Sequence, residues 1–466
     1  MNWSFVSRAG HLKALLFIVL VSLLMVLFYG KFINNFFAFD DFKYIENLFA
    51  GTRALLLGYN NTMRLLSNLV FVPLFAISGY DPVGYNLFNI ILHGINAILV
   101  ALLMQKISRT PMIGALAGIL FAASAASADA ILWKCANNSL MSVFFCLTSY
   151  LAYLSWQETG RRRAQILSLI LFTAAMFSKE DAAALPLIIF LYEICVRKTW
   201  RTAFQSALPY AVIVGAYLLV TQLVQQFLLI NLEHFQRFIS FRPLYSLFGG
   251  YSVFLMNPDI LFPNFKLFIF LVASGIIAAF FIVKDRRLLL FALVGICIAF
   301  LPSSLSALGS FSAELLAQSP SRYTYFPSVM SSLAMALTLH SMAGRLPKIW
   351  GNILLASLLV LFTGYNYQNV NARGLQWKNE TEASRVFLKA LQQTIPRFPP
   401  NSHVHFIDAP LGRAFVQQSL RAFYQNPSIT WIADLDKHVP SPDRPTFLIV
   451  CQWHAANNVT FFVRMI

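Results

Sequence analysis

The run Leu12–Tyr29, LKALLFIVLVSLLMVLFY, leads within a few residues to Phe39-Asp40-Asp41-Phe42-Lys43-Tyr44-Ile45, and together they decide the fold class. An apolar run of about 20 residues is what a helix needs to cross a hydrocarbon core. This one follows Arg8, carries Lys13 near its start, and has no small-residue cleavage site, so it reads as a retained signal anchor. Two adjacent carboxylates just beyond it stand where hydrocarbon gives way to water. There they are costly unless they stay wet, pair with cations or serve chemistry. From these residues alone, a solvated acidic loop and a catalytic carboxylate are equally economical.

The rest of the chain extends the same pattern. Its 466 residues are 58% hydrophobic and 12% charged, with a mean hydropathy of +0.63. Soluble domains run at roughly 45–50% apolar and about 25% charged, so the composition is that of a polytopic α-helical membrane protein. Apolar runs of span length fall at 12–29, 86–105, 111–128, 138–156, 164–178, 182–196, 205–224, 265–283, 288–306, 324–342 and 349–366. That makes about eleven transmembrane helices. The formal charge of +16 does not point to nucleic acid, because the cations sit in small clusters between apolar runs and no basic stripe with interleaved aromatics occurs.

Those clusters set the orientation. Arg8 and Lys13, Lys106 and Arg109, Arg161 to Arg163, Arg197 with Lys198 and Arg201, Lys284 with Arg286 and Arg287, and Arg345 with Lys348 all fall on one side. The opposite short loops carry only Lys134, Lys179 and Arg322. The positive-inside rule then predicts a cytoplasmic N-terminus, an extracytoplasmic Asp40-Asp41 loop and an extracytoplasmic C-terminus. Residues 243–262 are apolar but hold Gly249-Gly250 and Asn257-Pro258-Asp259. Crossing there would reverse every later cluster, so they read as re-entrant or interfacial.

Two domains are expected: a transmembrane domain over 1–370 and a small extracytoplasmic α/β domain over 371–466. The first extracytoplasmic loop, 30–85, is too long to lack structure. From Ile45, apolar Leu48, Phe49, Leu55 and Leu56 recur at helical spacing opposite Glu46, Asn47 and Arg53. That pattern fits an amphipathic helix on the membrane surface or one packed under a soluble cap. Beyond Tyr367, Pro-rich punctuation surrounds the strand-like runs 404–407 and 446–450, and 380–394 reads as a helix. The five cysteines, Cys135, Cys146, Cys195, Cys297 and Cys451, show neither a disulfide framework nor zinc spacing.

Five polar spots share the outer side of this topology: Asp40-Asp41, Arg64, Asp129, the run Ser178-Lys179-Glu180-Asp181, and Ser321-Arg322-Tyr323-Thr324-Tyr325. Singly each is an ordinary turn or a snorkelling anchor. Gathered on one face they supply a carboxylate base beside phosphate clamps Arg64, Lys179 and Arg322, with Glu180, Asp129 and Tyr325 lining the cavity. Transfer of a group from a phosphate leaving group needs that set. Asn89, His93 and Asn96 are spaced i, i+4, i+7 on one helical face. A polar contact between helices is the favoured reading, and a cavity-lining role for Asn89 and His93 the other.

The order Phe39-Asp40-Asp41, Arg64, then Gly79-Tyr80-Asp81-Pro82 through Asn89-Ile90-Ile91-Leu92-His93-Gly94-Ile95-Asn96 resembles the membrane-embedded GT-C glycosyltransferases. The closest branch is the protein O-mannosyltransferase-like one that includes tetratricopeptide-bearing eukaryotic members. Ser178-Lys179-Glu180 with Leu185-Pro186-Leu187, and Arg322-Tyr323-Thr324-Tyr325-Phe326-Pro327, match later landmarks in order. The likeness covers about residues 10–370. The chain departs from the pattern at Arg64-Leu65-Leu66, where the family has Arg-Pro-Leu, at Asp129 and Asn137, at Ser321, and in having no tetratricopeptide array.

The resemblance implies a polyprenyl-phosphate-linked sugar donor and a glycan, lipid or protein acceptor. It casts Asp40 as the general base, with Arg322 and Arg64 on the lipid phosphate. Asp41 either positions the acceptor or binds a divalent metal such as Mg or Mn. The setting is the plasma (inner) membrane of a bacterium. Two other readings compete: a transporter or flippase for a lipid-linked or anionic solute, and a non-catalytic scaffold of envelope polysaccharide assembly. The first calls for inverted repeats, and no internal symmetry is visible.

Overall fold

The computed structural model describes residues 8–57, 63–197, 200–225, 265–306, 322–409, 412–432, 443–455 and 458–465. In chain order its elements are α1 (Arg8–Tyr29), α2 (Asp41–Phe49), α3 (Thr52–Leu57), α4 (Leu65–Leu69), α5 (Phe71–Ser78), α6 (Val83–Ser108), α7 (Pro111–Ala122) and α8 (Ala128–Leu132). There follow α9 (Asn137–Thr159), α10 (Arg162–Ser178), α11 (Leu185–Tyr192), α12 (Trp200–Gln225), α13 (Phe265–Ile282), α14 (Arg286–Ser306), α15 (Pro327–Ala343) and α16 (Lys348–Thr394). The chain ends with β1 (His403–Ile407), α17 (Arg413–Phe423), β2 (Thr430–Trp431), β3 (Thr446–Ala455) and β4 (Asn458–Met465).

Helices stand at every expected apolar run. Among the described residues, six of them are long and apolar enough to cross a membrane, or seven if α7 and the following Ala125–Leu132, bent by 55°, form one span. Others are shorter: α10 and α15 have 17 residues each. Residues 243–262 lie outside the described residues.

The chain divides into two compact units. One comprises residues up to Lys31, Phe88–Ile131 and Ala136–Arg373. It is a helical bundle in which α9 packs on α10, and α15 packs on α7 and α14. Its core includes the buried apolar residues Phe121, Leu140, Phe172, Ile188, Phe300 and Leu333. The other unit gathers Phe32–Leu87, Leu132–Cys135 and Gly374–Ile466. Its four-stranded sheet has the order β2-β1-β3-β4, with β1 parallel to both neighbours and β3 antiparallel to β4. The core of this unit joins Phe37, Phe42, Ile45, Phe71 and Tyr85 of the first loop to Phe387, Leu391, Val404, Phe406, Leu420 and Ile449.

Two sequence expectations change here. The helix begun at α2 does not run on through Leu56. Gly51, at φ +95°, interrupts it, and Glu46 and Asn47 turn inward, 3% and 1% exposed. A buried carboxylate must be paired. Glu46 accepts from Lys43 at 3.1 Å and from Arg421 of α17 at 3.2 Å, so the helix packs under a cap. The loss of apolar character at Tyr367 also does not end a helix: α16 runs unbroken for 47 residues. Polar residues alone do not stop a helix, and the first proline is Pro396.

Candidate functional site

The loop leaving α1 is held by polar side chains from its own unit. Asn86 donates to the carbonyls of Ile33 and Asn35 at 2.7 and 2.9 Å. Lys134, 2% exposed, donates to the Phe36 carbonyl at 2.6 Å and lies 5.3 Å from the centre of the Phe37 ring. Asp41, 1% exposed, accepts the Ala38 amide on Oδ2 at 3.1 Å and the Cys135 amide on Oδ1 at 2.8 Å. Burial pushes its carboxyl up to about 6, against the opposing field of the Lys134 ammonium and the two amide donors.

Asp41 is thus a fastener. It ties the turn before α2 to the 132–135 segment. As a metal ligand it does not fit: both oxygens accept backbone amides, an ammonium lies near, and no group of three or more His, Cys, Asp or Glu gathers among the described residues.

On this foundation stands Asp40. It precedes α2, is half-buried, and its carboxylate does not cap the helix. Phe39 before it holds φ +50°, a left-handed conformation that a phenylalanine keeps only when its surroundings impose it. Those surroundings are aromatic: its ring centre lies 5.3 Å from Phe415, 6.1 Å from Trp377 and 6.5 Å from Trp133. Arg64 belongs to the same unit, half-buried ahead of α4.

The remaining predicted residues belong to the bundle. His93 is fully buried, with Nδ1 3.0 Å from the Tyr325 hydroxyl and Nε2 3.3 Å from the Ala122 carbonyl. Asn96 donates to the same hydroxyl and to the Leu140 carbonyl, each at 3.0 Å. One tautomer serves the whole set: Asn96 donates to Tyr325, Tyr325 donates to Nδ1, and Nε2–H donates to Ala122. His93 and Tyr325 thereby link α6 to the end of α7 and to the turn before α15. Asn89 donates to the Ile131 carbonyl at 3.2 Å.

Asp129, buried in α8, meets Arg373 at 2.6 Å. Lys179 is buried against Asp181, and Glu180 beside it is half-buried. Arg322 turns its guanidinium onto Tyr323, 4.8 Å from the ring centre, and donates to the hydroxyl at 2.9 Å. Sequence reasoning passed over Lys134, Arg373 and Asp181 as functional candidates. Lys134 left a usable signal: it is one of few cations in the outer loops, next to Trp133.

Comparison with known proteins agrees with this architecture. Residues 68–224 match the family described as dolichyl-phosphate-mannose-protein mannosyltransferase. A stretch of 141 residues is 32% identical to protein O-mannosyl-transferase Tmtc1 of Drosophila melanogaster, covering 30% of this chain and 16% of that protein. Among solved structures, ArnT from Cupriavidus metallidurans bound to undecaprenyl phosphate matches with a TM-score of 0.51 at 13% identity, over 96% of this chain and 94% of ArnT. The oligosaccharyltransferase AglB of Archaeoglobus fulgidus, in complex with an inhibitory peptide and a dolichol-phosphate, matches with a TM-score of 0.50 at 12% identity, over 92% of this chain and 65% of AglB. The sequence match is local to part of the chain, and the likeness to ArnT and AglB shows a shared fold.

Proposed function

We propose that the chain transfers a sugar from a polyprenyl-phosphate donor to a hydroxyl of an envelope glycan, lipid or protein, with Asp40 as general base. Asp40 takes the acceptor proton as the acceptor oxygen attacks the anomeric carbon opposite the phosphate. The bond from that carbon to the phosphate oxygen breaks, configuration inverts, and polyprenyl phosphate departs. Its growing charge suits a guanidinium, which pairs bidentately with phosphate oxygens, and Arg322 takes that role with Arg64 as the further candidate.

The observation that carries this reading is the setting of Asp40: a half-buried carboxylate after a strained residue, on a turn fastened by buried Asp41 and Lys134. Partial desolvation makes a carboxylate a stronger base. The donor class is supported by ArnT, solved with undecaprenyl phosphate, and by the dolichyl-phosphate-mannose description of the matching family. The one-sided cationic clusters support the reaction on the extracytoplasmic face, in a bacterial inner membrane crossed eleven times, with the N-terminus inside.

The test uses purified protein and the lipid-linked sugar that accumulates in a strain lacking it. Asp40→Asn keeps size and shape but cannot take the proton. Turnover should fall by about 10²–10⁴ while donor lipid still binds. Wild-type turnover in that variant would overturn the assignment.

A further inference from the structure

The cluster around Lys179 has a chemistry at odds with a phosphate clamp. Lys179 is 4% exposed and its ammonium pairs with Asp181, itself 6% exposed. Ser303 donates to Asp181 Oδ1 at 2.9 Å and fixes the carboxylate. An ammonium already matched by a buried carboxylate has little charge to offer a phosphate, and separating the two would leave an uncompensated ion.

What Lys179 does reach is the neighbourhood of Arg322. Its Nζ donates to Ser139 Oγ at 3.1 Å, and the Ser139 hydroxyl, which has Asn138 Oδ1 at 3.2 Å, lies 3.5 Å from the Arg322 carbonyl. The ammonium lies 5.3 Å from the centre of the Tyr323 ring. That ring also carries the Arg322 guanidinium, whose Nη2 donates to the hydroxyl at 2.9 Å. One branch of the cluster thus sits against the backbone of Arg322 and the other against the ring on which its side chain rests. Arginine has many rotamers, and ordering it in advance removes an entropy cost from binding.

Resting on the phosphate role of Arg322 given above, we propose that Lys179, held by Asp181 and Ser303, is a positioning residue that sets Arg322 and Tyr323 for the lipid phosphate without touching the phosphate itself. Binding of undecaprenyl phosphate to the purified full chain in detergent reads this with no sugar or acceptor. Arg322→Ala should weaken binding about tenfold or more, as loss of a charge-assisted pair does.

Lys179→Met should weaken binding several-fold in the otherwise native protein and have no further effect alongside Arg322→Ala, because it acts through Arg322. Ser139→Ala leaves the ion pair intact and should give a smaller loss with the same dependence on Arg322. It decides the matter if Lys179→Met fails to fold. Additive losses would mean that Lys179 meets the lipid on its own, and would overturn the proposal. Native affinity in both Lys179→Met and Ser139→Ala would overturn it too. Native affinity in Arg322→Ala would instead remove the phosphate role of Arg322 on which the proposal stands.

Discussion

Asp40 and Asp41 are neighbours with opposite fates, and pH separates them. Asp41 is sealed in, and its carboxyl is pushed up from the ordinary 3.8 to about 6. A raised carboxyl pKa means the folded state binds the proton more tightly than the unfolded state. The stability this contributes is complete below about pH 3.8 and is lost as pH rises through about 6. Lowering the pH from 7 to 5 should therefore stabilise the native protein relative to Asp41→Asn by on the order of 1 kcal/mol. Thermal melts of the two proteins across that range check it, since other titrating groups cancel in the difference. A constant gap would show that Asp41 does not titrate there. Asp40→Asn, at a half-buried position, should instead act on turnover and leave the melts nearly unchanged.

At the scale of elements, close packing between α6 and α7 depends on two glycines one turn apart. A Cβ on Gly118 would lie 2.8 Å from Ala101 Cβ, 2.8 Å from the Phe17 ring and 2.9 Å from the Ala97 carbonyl, and one on Gly114 would lie 2.5 Å from the Ala101 carbonyl. This spacing of small residues lets helix backbones approach where lipid supplies no hydrophobic drive. Gly118→Val should destabilise by about 1–3 kcal/mol, the usual cost of overpacking. Gly215→Ala, at a position with no atom within 4 Å of its Cβ, should melt as the native protein does. Reversed melting behaviour of the two would refute the packing account.

The sequence made these helices legible because hydrocarbon-length apolar runs admit few alternatives. It left their charged residues ambiguous. Glu46 pairs with Arg421, 375 positions away, and Asp129 with Arg373, 244 positions away. With partners that distant, an inward-facing carboxylate reads locally like a solvated one. Asp40-Asp41 could be singled out from its place beside the first apolar run. Which of the two is buried could not, because that depends on Lys134 and the Cys135 amide.

For the whole molecule, the direction of insertion is the decisive variable. The cationic clusters predict that the two ends of the bundle face different compartments. In a background with the five native cysteines replaced, a cysteine at exposed Gln393 should react with a membrane-impermeant maleimide in intact cells. One at exposed Arg162 should be spared. Labelling at 162 in intact cells would reverse the topology and move Asp40 to the cytoplasm.

The unit carrying Asp40 is assembled from three separate stretches, the last beginning at Gly374, long after Leu87. This has a consequence for biogenesis. Ribosomes add about 5–20 residues per second, so tens of seconds separate synthesis of the Asp40 loop from arrival of the sheet and α17 that complete its core. Throughout that interval Phe42 and Ile45 lack Leu420 and Ile449, and Glu46 lacks Arg421. A nascent chain at this stage displays an unfinished apolar surface with a half-paired carboxylate, which makes it a client for folding factors on whichever side of the membrane it emerges. Premature stops between 90 and 370 would leave that surface exposed permanently, so such fragments should be cleared by proteolysis and not accumulate.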